Sequence, residues 1–266
     1  MTRVFDFVAG DSPLLVSIPH DGRELAPGMA ERMTGAGRAL PDTDWHVRRL
    51  YDFVAELGAS VLAANCSRYV VDLNRPADDS ALYSGQVSTG LCPTMTFAGE
   101  PIYADGYQLR DQDRRKRIDA YWRPYHEKLR SELDRLVAGF GYALLWDAHS
   151  IRGELPLLFD GALPDLNIGT NGGLSCSEAM SDAVGAAAAS AAYSSVTNGR
   201  FRGGYITRHY GDPAAGVHAI QLEIAQRTYM DEQSLAYAEP AAARLAATIA
   251  GMLTAFTNTA KMCRES

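Results

Sequence analysis

Tyr142-Ala143-Leu144-Leu145-Trp146-Asp147-Ala148-His149-Ser150 decides the fold class of this chain. Residues 142–146 are a short apolar run suited to a buried strand, and the chain turns polar at Asp147 as that strand ends. Upstream, residues 113–137 carry a helical stripe of Ile118, Trp122, Tyr125, Leu129 and Leu136, with Pro124 placed to kink it. Downstream, residues 175–190 predict another helix. The alternation continues to both ends of the chain. Strands are predicted over residues 13–18, 60–64, 69–73, 155–159 and 217–224. Helices are predicted over residues 43–57, where Val47, Leu50, Tyr51 and Val54 share a stripe that Gly58 stops, and from about residue 234 to 256. Such alternation argues for one three-layer α/β/α domain over residues 1–266, with a mixed, largely parallel sheet. Function in sheets of this kind gathers beyond the carboxyl ends of the strands. Two long loops, residues 76–111 and 160–173, are rich in turn-forming residues, and their length suggests a lid or a pocket wall.

The composition supports one sizeable core, with 47% hydrophobic and 21% charged residues among 266. A net charge of -7 argues against a general nucleic-acid binder, which needs a basic face. It does not exclude a small anionic substrate, because a few arginines inside a pocket outweigh a mildly acidic exterior. Cys66, Cys92, Cys176 and Cys263 have neither zinc-knuckle nor redox spacing and are too sparse for a disulfide scaffold. They read as reduced thiols of a cytoplasmic protein. Residues 1–6 lack a signal-peptide pattern, and the apolar run at 184–192 is interrupted by Gly185 and Ser190. That run falls short of the roughly 20 residues a membrane span needs. The expected partner is therefore a small molecule, with neither nucleic acid nor membrane.

The polar residues fall where the strands end. His20 leaves the first strand in Ser17-Ile18-Pro19-His20-Asp21-Gly22, either as a metal ligand or as the cap of a tight turn. Asp147 and His149 alternate along an extended segment, so both can face one cleft, with the carboxylate orienting the histidine or sharing its metal. Asp42 reads as a helix N-cap. Asp44 reads either as a first-turn carboxylate favoured by the helix dipole or as a metal ligand. Glu223 stands inside an otherwise apolar strand, where burying it unpaired costs roughly several kcal/mol. It is either salt-bridged or catalytic, and the company of the other strand-end groups favours catalysis. Arg75 ends a strand at Asn74-Arg75-Pro76, suited to a forked bond with a carboxylate or to a structural ion pair. Arg200, Arg202 and Arg208 cluster among glycines between Asn198 and Gly211, a candidate anion site or a solvated surface.

Six strings occurring in order resemble N-formylglutamate amidohydrolases. They are Pro19-His20-Asp21-Gly22, Asp42-Thr43-Asp44-Trp45-His46, residues 67–76, Trp146-Asp147-Ala148-His149-Ser150-Ile151-Arg152, residues 198–211 and residues 218–223. The family is similar in architecture to zinc carboxypeptidases and aspartoacylases, whose zinc is held by His-x-x-Glu and a distant histidine. This chain departs from that pattern, with Arg23 where the glutamate would stand. The resemblance implies one zinc ion per chain on His20 and His149. Asp44 is the preferred third ligand, ahead of Glu24, since His-x-x-x-Glu in a turn need not converge. It also implies Glu223 as general base and Asn74 with Arg75 as the grip on a substrate carboxylate. In the mechanism that follows from it, zinc with Arg68 or a neighbouring donor stabilises the oxyanion. One of Arg200, Arg202 or Arg208 would take the second carboxylate. The expected reaction is hydrolysis of N-formyl-L-glutamate to L-glutamate and formate, at the end of histidine breakdown. The alternative is a metal-dependent deacylase of another N-acyl acidic amino acid, such as N-formylaspartate.

Overall fold

The computed structural model describes residues 3–81 and 89–265. Its strands are β1 (Phe5–Val8), β2 (Leu14–Ile18), β3 (Ser60–Ala64), β4 (Ala143–Ile151), β5 (Leu166–Gly169), β6 (Ser195–Thr197) and β7 (Val217–Ala225). The α-helices are α1 (Gly35–Arg38), α2 (Val47–Leu50), α3 (Asp111–Arg117), α4 (Arg123–Phe140), α5 (Glu178–Ala189), α6 (Tyr205–Tyr210) and α7 (Glu239–Glu265). The strands form one sheet in the order β1-β3-β2-β4-β7-β5-β6. The four central strands, β3, β2, β4 and β7, run parallel. At the margins, β1 is antiparallel to β3 and β5 is antiparallel to β7. From β2 the chain passes to β3 on one side and later to β4 on the other. The carboxyl ends of β2 and β4 therefore flank a topological switch point, where open α/β sheets place their sites.

Helices cover both faces of the sheet. One core gathers Val16, Trp146 and Leu222 against Met180 and Val184 of α5 and Leu245, Ile249, Met252 and Phe256 of α7. The other gathers Leu15, Leu145 and Ala219 against Tyr125, Leu129, Leu133 and Leu136 of α4. Adjacent residues such as Leu15 and Val16 go to opposite cores, as the period of two along a strand requires. With both faces covered, every residue of β2 and β4 is buried, which explains the apolar runs at residues 14–16 and 143–146. The α7 contacts recur at helical spacing. Each fully buried side chain contributes about 1.5–3 kcal/mol, so this stripe holds the last helix in place.

Several elements differ from the sequence expectation. Residues 69–73 are not a strand. Their side chains enter the second core, but the backbone turns on itself through Val70 N–H to Ser67 O and Arg75 N–H to Asp72 O. Residues 155–159 are also a turn, closed by Leu158 N–H to Leu155 O at 2.8 Å. Pro156 within that run cannot donate to a sheet ladder. Residues 160–173 are not one loop, since they contain β5. The expected helix over 43–57 starts only with α2, because His46 takes φ 64°, and beyond Tyr51 it continues as a 3-10 turn (Asp52–Leu57). Its stripe is nevertheless buried, and Gly58 ends it at φ 64°. The segment before α4 winds a π turn (Ile118–Trp122), which absorbs the missing N–H of Pro124 without breaking the helical run. The last helix begins only at Glu239, because Leu235 takes φ 58° and the Ala238 N–H is bonded back to Tyr229 O. Strands β1 and β6 were not expected. Part of the loop over 76–111, residues 82–88, lies outside the described residues. Among the described residues, no helix is long and apolar enough to cross a membrane.

Candidate active site

The end of β2 delivers His20, and the carboxyl half of β4 delivers Asp147 and His149. In the β4–β7 register His149 lies opposite Glu223. Asp44 comes from the segment between β2 and α2, tied down by its own N–H to His20 O at 3.0 Å. That bond, with the left-handed His46, is why the expected helix cannot start at residue 43. Asp44 is therefore no first-turn residue. Its Oδ2 accepts from the Ser150 N–H at 3.1 Å and lies 3.1 Å from His149 Nδ1. Asp42 caps no helix either. Its Oδ2 accepts from the Tyr69 hydroxyl at 2.6 Å and from the Phe97 N–H at 2.9 Å.

His20, Asp44 and His149 each offer a ligand atom, all within 4.8 Å of one another and all buried. Two features suit them to a divalent cation. First, each imidazole is held on its far side by a carboxylate: His20 Nε2 lies 2.8 Å from Asp72 Oδ1, and His149 Nε2 lies 3.0 Å from Asp147 Oδ2. Asp72 so placed fixes the His20 tautomer with its lone pair on Nδ1, turned toward Asp44, while a cation at His149 Nδ1 would displace the proton that this ring shares with Asp44. Second, His20 Nδ1 and Asp44 Oδ1 are buried without a hydrogen-bond partner among the described residues. Orphaned buried polar atoms of this kind call for a bound group. The donor set, two imidazoles and one carboxylate with an open side, is of the type found in catalytic zinc sites. Glu24 is exposed, and its backbone pairs with Asn65 and Ser67, away from this cluster.

The electrostatics separate the groups. Burial, aided by the Arg68 charge, lowers the His20 pKa, leaving the ring neutral as coordination requires. Burial alone would lower His149 too, but Asp147 and Asp44 outweigh it and hold that ring well above its ordinary value. Asp72 is buried, yet the Arg68 charge and the hydrogen bond from His20 keep its carboxyl well below the usual range. Glu223 goes the other way: burial pushes it up to about 8, with the His149 charge opposing. Its pKa thus falls near neutrality, where proton transfer in both directions is easy.

His20, Asp72, His149 and Glu223 open into a cleft of about 870 Å³, counting its open mouth, lined also by Arg68, Asn74, Arg75, Arg200 and Gln221. Phe97, Ile151, Leu158 and Phe201 form its apolar wall. Phe97 belongs to the first long loop, so the described part of that loop is a pocket wall. Arg68 sits among acids, 2.7 Å from Asp72 Oδ2 and 3.5 Å from Asp44 Oδ1. The Asn74 amide is committed to scaffolding. Its Nδ2 lies 3.0 Å from Asp147 Oδ2 and 2.8 Å from His149 Nε2, and its Oδ1 accepts from the Ile206 N–H. Arg75 and Arg200 reach the cleft. Arg202 and Arg208 are not among its lining residues, and Arg208 Nε donates to Gly203 O at 2.7 Å. Two participants went unassigned in the sequence. Gln221 carried a legible signal, two residues before Glu223 on the same strand face. Asp72 carried none, because it lies in a segment that reads as a strand.

An α/β sheet with three buried side chains that could hold a metal ion and a buried carboxylate beside its switch point is an arrangement suited to a hydrolase. Residues 12–230 match the N-formylglutamate amidohydrolase family, and the chain belongs to that family. It is 53% identical over 233 residues to the N-formylglutamate deformylase of Pseudomonas putida, covering 87% of each chain. Against the N-formylglutamate deformylase of Pseudomonas aeruginosa it is 55% identical over 235 residues, covering 88% of each. The crystal structure of N-formylglutamate amidohydrolase from Ralstonia eutropha superposes with a TM-score of 0.81 at 24% identity, covering 99% of both chains. A gene product of Agrobacterium tumefaciens superposes at 0.73 and 17% identity, covering 100% of this chain and 97% of its own. At those identities the two structures speak for the fold alone.

Proposed function

We propose that this chain hydrolyses N-formyl-L-glutamate to L-glutamate and formate, with one zinc ion per chain on His20, Asp44 and His149. The observation that carries this reading is the convergence in one cleft of two carboxylate-held histidines, Glu223 and three arginines, with Asp44 buried beside the histidines. The two deformylase relatives give the substrate. A bound zinc ion supplies Lewis acidity for activating water and polarising a carbonyl.

The chain's own residues account for the remainder. Glu223 accepts a proton from the attacking water as its oxygen bonds to the formyl carbon. It then passes that proton to the departing nitrogen as the C–N bond breaks, releasing formate and the free amine. Arg68 supplies positive charge beside the oxygen on which charge develops. Arg75 and Arg200 take the two substrate carboxylates, and the apolar wall packs against the methylenes between them. This reading places the protein in the cytoplasm, at the last step of histidine degradation.

Release of the free amino acid by zinc-loaded protein from N-formyl-L-glutamate, N-formyl-L-aspartate and N-acetyl-L-glutamate tests the assignment. The first substrate should show the highest kcat/KM. A higher value for either of the others would replace the substrate assigned here.

A further inference from the structure

Gln221 is buried on β7, two residues before Glu223 and on the same face. Its Oε1 accepts from the Gly204 N–H at 2.6 Å, and its Nε2 donates to Glu223 Oε2 at 3.3 Å. The first bond fixes which end of the amide is which: with Oε1 facing an N–H, the NH2 group is the end turned to the carboxylate. Gly204 closes the segment from Asn198 that carries Arg200. At the far end of that segment, the Asn198 N–H donates to Ile168 O at 2.7 Å, and its Oδ1 accepts from the Thr170 N–H at 2.9 Å. At the near end, a Cβ on residue 204 would come within 2.4 Å of Asn74 Nδ2, so the close approach requires glycine. The Arg200 segment is thus pinned at both ends, and Gln221 joins its near end to the buried carboxylate.

We propose that Gln221 is a positioning residue with two separable tasks: its carbonyl fixes the segment presenting Arg200 to a substrate carboxylate, and its amine aims Glu223 at the reacting water. The inference rests on the deformylase reading given above. Gln221→Glu keeps an acceptor for Gly204 but replaces the amide donor with a carboxyl that competes with Glu223 for one proton. Gln221→Met loses both. Asn198→Gly loosens the segment from the other end while tolerating the positive φ of that position.

The experiment measures kcat, KM, zinc content, melting temperature and the calorimetric Kd for L-glutamate on zinc-loaded wild type and all three variants. Gln221→Glu should lose about tenfold or more in kcat with glutamate Kd within about twofold. Gln221→Met should lose similarly in kcat and weaken glutamate about fivefold or more, and Asn198→Gly should weaken glutamate with kcat nearly intact. Should Gln221→Met fail to fold, the contrast between the other two variants decides the question alone. A merely structural role would lower melting temperatures and leave kcat and Kd of the folded protein unmoved. That result, or equal loss of glutamate affinity in Gln221→Glu and Asn198→Gly, would overturn the proposal. A wild type without turnover overturns the deformylase reading and this inference with it. An active wild type beside unmoved variants overturns this inference alone.

Discussion

Replacing Glu223 by glutamine should stabilise the metal-free protein in a pH-dependent way while disabling the enzyme. Burial raises the Glu223 carboxyl from an ordinary 4.5 to about 8. A carboxyl whose folded pKa exceeds its unfolded one contributes stability that is complete below the unfolded value and is lost as pH rises through the folded value. The relevant window therefore runs from about pH 4.5 to pH 8. At pH 7 the wild type has lost about 3 kcal/mol relative to pH 4.5, while the uncharged glutamine has lost none of this share. For a chain of this size that corresponds to a rise of roughly 6 °C or more in the melting temperature of the variant over the wild type. Thermal melts of chelator-treated wild type and Glu223→Gln from pH 5 to pH 8 provide the assay. The difference should be small at pH 5 and grow steadily toward pH 8. In the zinc-loaded proteins the same substitution should lower kcat by at least about a hundredfold, with zinc content unchanged. A stability difference flat across this range would refute the burial argument, and near-normal turnover would refute the role as base.

Two further sets of variants probe the rest of the cleft. His20→Ala and His149→Ala should each lose stoichiometric zinc by elemental analysis while remaining folded, and Asp72→Asn should weaken zinc affinity by about 10- to 100-fold through loss of its hold on His20. Arg75→Lys and Arg200→Lys should each lower kcat/KM for N-formyl-L-glutamate by at least about tenfold, since an ammonium cannot reproduce the fork. Arg202→Ala, outside the cleft lining, should stay within about twofold in the same steady-state assay.

The legible parts of this molecule are those in which local pattern and tertiary environment agree. β2, β4 and β7 are apolar because both sheet faces are covered. His20, His149 and Glu223 stand out because they interrupt such runs at or near the ends of the strands. Residues 69–73 show where the reasoning stops. Tyr69, Val70, Val71 and Leu73 are as buried as any strand residue, yet their backbone is bonded in turns, and burial alone does not distinguish the two. That misreading also concealed Asp72, whose partners His20 and Arg68 become apparent only in three dimensions. Asn74 was legible as a site residue, but its partners were not, because Ile206 lies 132 positions away in sequence. β5 and β6 are short and rich in small or polar residues, so their strand character comes from pairing with β7 and with each other.

The central claim is that one metal ion on His20, Asp44 and His149 makes this cleft a deformylase. Titrating chelator-stripped protein with zinc while measuring formate release from N-formyl-L-glutamate tests it most directly. Activity should start near zero, rise linearly and break at one zinc per chain, with no such rise in His149→Ala. Full turnover by the stripped protein, or a break at any other stoichiometry, would contradict the account.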